Sequence, residues 1–310
     1  MRSKIILIFC ILIIAATKGF AASPVDSIAR LKGCEDSMKA LQYMRLNAWT
    51  DGEREDANAK FLALMNEALL LPGAFDYPFD SLKTIGKVTS PDNQFRIITW
   101  DVPKLSGKDS YYGFIQCYNE KKSKYDLFVL KENTAAIPNI QTATYTPDKW
   151  MGMLYYKIIQ QKDSKTYTLL AWQGYSKQIT RKIIDVLSFN NLGVPSFGKV
   201  IFTKLPSTYK GSPKRMVFEY SAQAFMSLRY DEAKNMILFD HLGPIEDGLQ
   251  GQHQYYGPGF QVDGLKYGNG TWDYVANVEA RNPDHKDDKL FNDPQHPTYQ
   301  PNNKAIYTPH

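Results

Sequence analysis

The chain has little that would staple, anchor or charge it. Three cysteines in 310 residues cannot build the disulfide framework of a small secreted scaffold, and one of them, Cys10, falls inside the leader described below. No apolar run reaches the roughly 20 residues a helix needs to cross a bilayer. Neither sign of charge dominates: 37 Lys and Arg stand against 32 Asp and Glu. They interleave in runs such as Glu120-Lys121-Lys122 and His285-Lys286-Asp287-Asp288-Lys289, which leaves no basic face for a nucleic acid. No Gly-x-Ser-x-Gly elbow, metalloprotease spacing or calcium loop occurs, so no motif names a nucleophile, a metal centre or a cofactor.

What is present begins at the N-terminus. Arg2 and Lys4 precede an apolar run from Ile5 to Ala16, and small residues follow around Ala21 and Ala22. That order reads as a secretory signal peptide over residues 1–22. Cys10 follows the bulky Phe9 inside the apolar run, unlike a lipidated cysteine. Cleavage removes Arg2, Lys4 and Lys18 with no acidic residue, taking the formal charge from +5 to +2. The expectation is a periplasmic or secreted protein with no membrane span after cleavage. Its two remaining cysteines, Cys34 and Cys117, would then meet an oxidising compartment, either as one disulfide or as two buried thiols.

Residues 23–74 read as a helical segment packed on the body. Ile28, Leu31, Met38, Leu41 and Met44 recur at helical spacings, as do Phe61, Leu64, Met65, Ala68 and Leu69 after a break at Thr50-Asp51-Gly52. Asp51 is placed to cap the second helix, and Pro72-Gly73 to end it. From residue 75 to 281 the period changes to two. Thirteen strand-like runs extend from Ile85–Thr89 to Trp272–Val278, among them Gly198–Thr203, Met236–Asp240 and Gln261–Lys266. The fold class expected is mainly β, an antiparallel meander forming a sandwich, a barrel-like or an irregular propeller-like body behind an N-terminal helical pair.

Three segments, Phe95–Asp101, Tyr167–Gln173 and Phe225–Asp231, begin aromatic, end with an aromatic and a polar residue, and lead into another strand. Their intervals of 72 and 58 residues are too unequal for a regular blade repeat. Asn269-Gly270 suits a hairpin turn better than a glycosylation acceptor. Residues 282–310 read as an irregular, proline-rich tail, expected either to lie along the body through Phe291, Tyr299 and Tyr307 or to be disordered.

The densest polar and aromatic stretch runs from Phe239 to Tyr274. Asp240, His241, Glu246, Asp247 and Asp263 are the candidates for acid–base chemistry, although Asp240 and His241 would point to opposite faces of a strand. Tyr255, Tyr256, Trp272 and His253 are the candidates for ligand contact, since amphipathic rings near turns can meet a sugar or a peptide. Trp100 and Trp172, in strand patterns, read as core.

The stretches Phe75-Asp76-Tyr77-Pro78-Phe79-Asp80-Ser81-Leu82, Ser90-Pro91-Asp92-Asn93-Gln94-Phe95-Arg96-Ile97 and Gln254-Tyr255-Tyr256-Gly257-Pro258 resemble an uncharacterised family of exported proteins from Bacteroidetes-type bacteria. The resemblance implies a periplasmic or envelope setting and carries over no activity. Two functional classes stand: a non-enzymatic binding or structural protein of the envelope whose partner is a glycan, a peptide or an envelope protein, and a hydrolase acting on an envelope glycan or peptide.

Overall fold

In the computed structural model, residues 24–119, 122, 124–134, 137, 139–161, 166–209 and 211–279 are described. The leader and the tail from residue 282 lie outside them. Two helices, α1 (Pro24–Asn47) and α2 (Asp51–Leu69), open this part of the chain. The strands are β1 (Gly86–Thr89), β2 (Phe95–Val102), β3 (Ser110–Asn119), β4 (Lys124–Lys131), β5 (Leu154–Gln160), β6 (Thr166–Gly174), β7 (Ile179–Phe189), β8 (Pro195–Phe197), β9 (Phe202–Thr203), β10 (Met216–Ser221), β11 (Leu228–Asp231), β12 (Met236–Pro244), β13 (Tyr256–Gly268) and β14 (Thr271–Val275). They form three sheets, ordered β1-β2-β3-β4, then β10-β7-β6-β5 with β8 beside β7, and β11-β12-β13-β14-β9. The protein is mainly β, and its described strands close no barrel. The chain divides into two compact units, one made of the residues up to Lys199 with Lys214–Val217, the other of Val200–Pro213 with Phe218 onward.

The helices of the first unit start as capping chemistry dictates, with one residue changed from expectation. Thr50, not Asp51, is the N-cap of α2: its hydroxyl accepts from the Glu53 N–H at 3.2 Å while Glu53 accepts from the Thr50 N–H at 3.1 Å. Asp51 instead accepts the Leu105 N–H at 2.9 Å. The apolar stripe expected on α1 is also corrected, because Ile28 and Met44 are exposed. The buried line is Leu31, Glu35, Met38, Gln42 and Arg45, a helical spacing in which polar residues alternate with apolar ones, so a search for apolar periodicity alone rotates the face. Each polar member has a partner: Glu35 accepts from Tyr77 Oη at 2.6 Å, Gln42 from the Thr84 N–H at 3.2 Å, and Arg45 donates to Thr84 Oγ1 at 3.0 Å and to the Asp101 carbonyl. Burial pulls the Arg45 guanidinium down to about 10, so it stays charged at neutral pH.

Both helices lie on one face of the first sheet. Leu31, Met38, Phe61 and Met65 pack against Ile98, Trp100 and Phe114, each large apolar side chain contributing roughly 1.5–3 kcal/mol when fully buried. Trp100 Nε1 donates to Asn58 Oδ1 at 2.8 Å, which satisfies the indole inside this layer. Arg96 fastens the aromatic linker onto the same face. It donates to Gln116 Oε1 at 2.7 Å and the Tyr77 carbonyl at 3.0 Å, and its guanidinium lies 5.7 and 5.5 Å from the Phe75 and Phe79 ring centres.

The opposite face of that sheet carries the next residues along each strand, as the period of two requires. Phe95, Ile97, Ile115 and Cys117 meet Tyr155, Ile158, Tyr167, Leu169 and Ile183 of the second sheet, giving a sandwich-type core. Cys34 packs on the helix side and Cys117 on the sandwich side, and both thiols are free. The disulfide alternative is thereby overturned: a β-sheet lies between the two sulfurs. Beneath the second sheet Asp185 and Arg215 form a fully buried ion pair at 3.0 Å. Tyr145 Oη donates to Asp185 at 2.6 Å, and Arg215 donates to the Ala143 carbonyl at 2.9 Å. Gly198, at φ 91°, leaves room for that guanidinium, since a Cβ there would lie 2.7 Å from the Ala143 carbonyl oxygen. Gly198 and the three residues after it are accordingly not strand, and the run expected over 198–203 shortens to β9.

The second unit is organised on one sheet. Its β13–β14 hairpin turns through Asn269 and Gly270 at φ 52° and 82°, the two positive values of a type I′ turn. The short β9 joins the edge in parallel, Phe202 opposite Trp272. The three aromatic-framed segments of the sequence reach one sheet each, in β2, β6 and β11, although β11 begins only at Leu228 and Phe225 precedes it.

Candidate functional site

The region from Phe239 to Tyr274 is the β12–β13 ladder and the arm it extends. Pairing is regular from Met236↔Lys266 to Asp240↔Val262, then resumes at Leu242↔Pro258 and ends at Pro244↔Tyr256. Between the two stretches His241 alone faces Gly259, Phe260 and Gln261. Extra residues on one strand bend it and re-aim its side chains. Phe260 is fully exposed as a result.

The tip is an ordered turn. The Ile245 N–H donates to the Tyr255 carbonyl at 3.0 Å and the Gly251 N–H to Tyr256 Oη at 2.9 Å. His253 Nδ1 sits 2.7 Å from Glu219 Oε2 of β10, with the Tyr256 ring 4.9 Å from the imidazole. These contacts hold the tip while leaving Ile245 and Tyr255 exposed.

At the bulge, His241 Nδ1 lies 2.7 Å from Asp263 Oδ2. Asp263 is 1% exposed and accepts also from Tyr274 Oη at 2.5 Å, Gln261 Nε2 at 2.8 Å and the Asn277 N–H at 3.1 Å. Burial pushes this carboxyl up, but the donors from Tyr274, His241, Gln261 and Asn277 outweigh it and hold the group below its usual range. The charge pushes the neighbouring Tyr209 up to about 12, after burial as the first cause. Asp263 fixes the imidazole with its Nδ1–H inward and turns Nε2 outward on a half-exposed ring.

The remaining acid–base candidates do not join this pair. Asp240 points away, as strand alternation requires, and accepts the Ser227 N–H at 2.7 Å. Glu246 and Asp247 are exposed on the tip turn. Among the described residues no hydroxyl is hydrogen-bonded to His241 Nε2, and no three His, Cys, Asp or Glu side chains converge to hold a metal ion. The dyad can accept or donate a proton at Nε2; it has no nucleophile in place.

Of the ligand-contact candidates, Tyr255 is exposed, Tyr256 and His253 are half-buried, and Trp272 is 0% exposed. Trp272 packs edge-on to Tyr267 at 5.1 Å and Tyr230 at 6.5 Å, so it is a core residue of the sheet and, unlike the other ligand-contact candidates, presents no ring to a ligand. The chain matches no protein-family model and no curated protein. Phe260, Ile245, Glu219 and Tyr274 were not singled out from the sequence. Pro258 and Gly259 within a strand-forming run are the signal that could have located the bulge and, with it, Phe260.

Proposed function

We propose that this is an exported, non-enzymatic binding protein of a bacterial envelope, which engages a partner protein through the β12–β13 arm. One observation carries the reading: an ordered arm presents Phe260, Ile245 and Tyr255 to solvent. Exposed apolar side chains on an ordered hairpin suit burial against another surface. The dispersal of Asp240, Glu246 and Asp247 away from His241 supports binding over turnover. Hydrolysis is the second reading, supported by the His241–Asp263 dyad.

The test places a photo-crosslinking residue at position 260 of the full chain in cells and compares the adducts with those from an exposed control position, Lys199. A discrete protein adduct specific to position 260, lost on Ile245→Ser, is the expected result. An adduct only to the chain's own tail, no adduct at all, or hydrolysis of envelope polymer by purified protein that His241→Ala abolishes would each overturn the reading.

A further inference from the structure

The first unit holds a cleft that none of the sequence candidates touch. It has a volume of about 540 Å³, within the range of roughly 300–1,000 Å³ typical of small-molecule sites. It opens where the sandwich core ends, between the turn before β2, the β3–β4 hairpin and the turn after β7. The last core side chains before it are Phe95, Cys117 and Phe189.

The described lining residues carry hydrogen bonds of their own. Asn190 Oδ1 accepts the N–H groups of Leu192 and Val194 at 2.9 and 3.0 Å, which sets the turn after β7. Asn119 Nδ2 donates to Asp126 at 2.6 Å, and Lys122 Nζ donates to the same carboxylate at 2.9 Å. The ring of Tyr118 forms one side: it is 40% exposed and leans on Tyr125 at 5.3 Å, which stacks on Phe75 at 4.6 Å. The side-chain amides of Gln94 and Asn191, both exposed at the rim, have no partner among the described residues.

These groups select a ligand class. A side-chain amide offers a donor and an acceptor side by side, the complement of neighbouring hydroxyls on a sugar ring. The exposed Tyr118 face suits the apolar side of such a ring. Lys122 and Asp126 neutralise one another, so the cleft offers no net charge to an anion or a cation. We infer that this cleft binds a neutral saccharide, with Tyr118 as the stacking platform and the Gln94 and Asn191 amides as the hydroxyl-reading groups. This site is independent of the arm proposed above and lies in the other unit.

The experiment is NMR titration of the mature chain, residues 23–310, with glucose, galactose, mannose, N-acetylglucosamine and their neutral disaccharides, each to about 10 mM, a range that detects millimolar affinity. The expected result is saturable shifts of the Gln94 and Asn191 side-chain amide signals with at least one sugar. Affinity should fall roughly tenfold in Tyr118→Ala and also fall in Asn191→Ala, an exposed turn substitution that leaves the core intact, while Phe260→Ser keeps it. No shift with any of these sugars, shifts indifferent to both cleft variants, or binding only of uronic acids and sugar phosphates would overturn the inference. Loss of crosslinking at position 260 with sugar binding retained would count against the arm alone.

Discussion

The two units differ in how much charge they bury. The first hides charge: Arg45, Arg96 and Arg215 are all buried, each with named acceptors, between or beneath stacked layers. The second keeps one buried charged side chain, Asp263; both units show apolar side chains to solvent, Trp49 and Leu192 in the first, Phe225, Ile245 and Phe260 in the second. The aromatic that opens each repeated segment still separates them, since Phe95 and Tyr167 are buried and Phe225 is exposed. Where two sheets and two helices share a core, a guanidinium can be surrounded by carbonyls and rings. A sheet that extends into a free arm has fewer such partners and more surface to offer.

The largest effect that would sharpen this contrast is in the first unit. Asp185→Ala strands the Arg215 charge in the interior, and we expect a loss of about 3–5 kcal/mol in urea unfolding. The double variant Asp185→Leu with Arg215→Met should lose clearly less; equal losses would mean that the pair is not what the surrounding core depends on.

The corresponding change in the second unit, Asp263→Ala, leaves Tyr274, Gln261 and the Asn277 N–H without their acceptor, at a cost of about 2 kcal/mol. Its pH signature has a fixed sign. The folded carboxyl titrates below its ordinary value of 3.8, so its contribution is present above that value and fades as the pH falls through the folded pKa. Asp263→Asn should flatten the acid limb of the stability curve, and an unchanged limb would assign the acid sensitivity elsewhere.

Asp109 of the first unit runs the other way. Burial first, then the Asp101 charge, raises it to about 6. A raised carboxyl adds stability below its unfolded value that is lost as the pH climbs from 3.8 to about 6. Asp109→Asn should therefore gain about 1 kcal/mol at pH 7, a figure reduced for the solvent screening of a partly exposed group. The smallest effect is expected at the arm: Phe260→Ser should move the thermal midpoint by no more than about 0.5 kcal/mol equivalent. A large destabilisation there would break the comparison, because it would make Phe260 part of a core.

Much of this architecture was legible in the residues. The change of period after Pro72 separated helices from strands, and β2 and β5 were bounded correctly to the residue because β-branched and aromatic runs end there at turn-forming neighbours. The buried face of α1 was not legible, since Glu35, Gln42 and Arg45 are interior only because distant segments supply their partners. The burial of Trp272 was left open by the sequence for the same reason: the strand β9 that pairs with β14 beside it lies about 70 residues earlier in the chain. Asp263 and His241 were both among the candidates, but their pairing depends on a register shift, which single-residue spacing does not encode.

The order in which the units take their residues also bears on how the chain is made. It leaves the first unit at Val200, contributes β9 to the second, and returns for Lys214–Val217 before departing again. A nascent chain emerging N-terminus first therefore holds Asp185 without its counter-ion until Arg215 follows, 30 residues later. Until then that carboxylate has no guanidinium beside it, and the second sheet also lacks β10, which adjoins β7 and brings Val217 to the sandwich core. A chain truncated short of Arg215 is therefore expected to leave Asp185 buried without its partner, and its first unit should be more open to protease than that of a chain ending beyond Ser221.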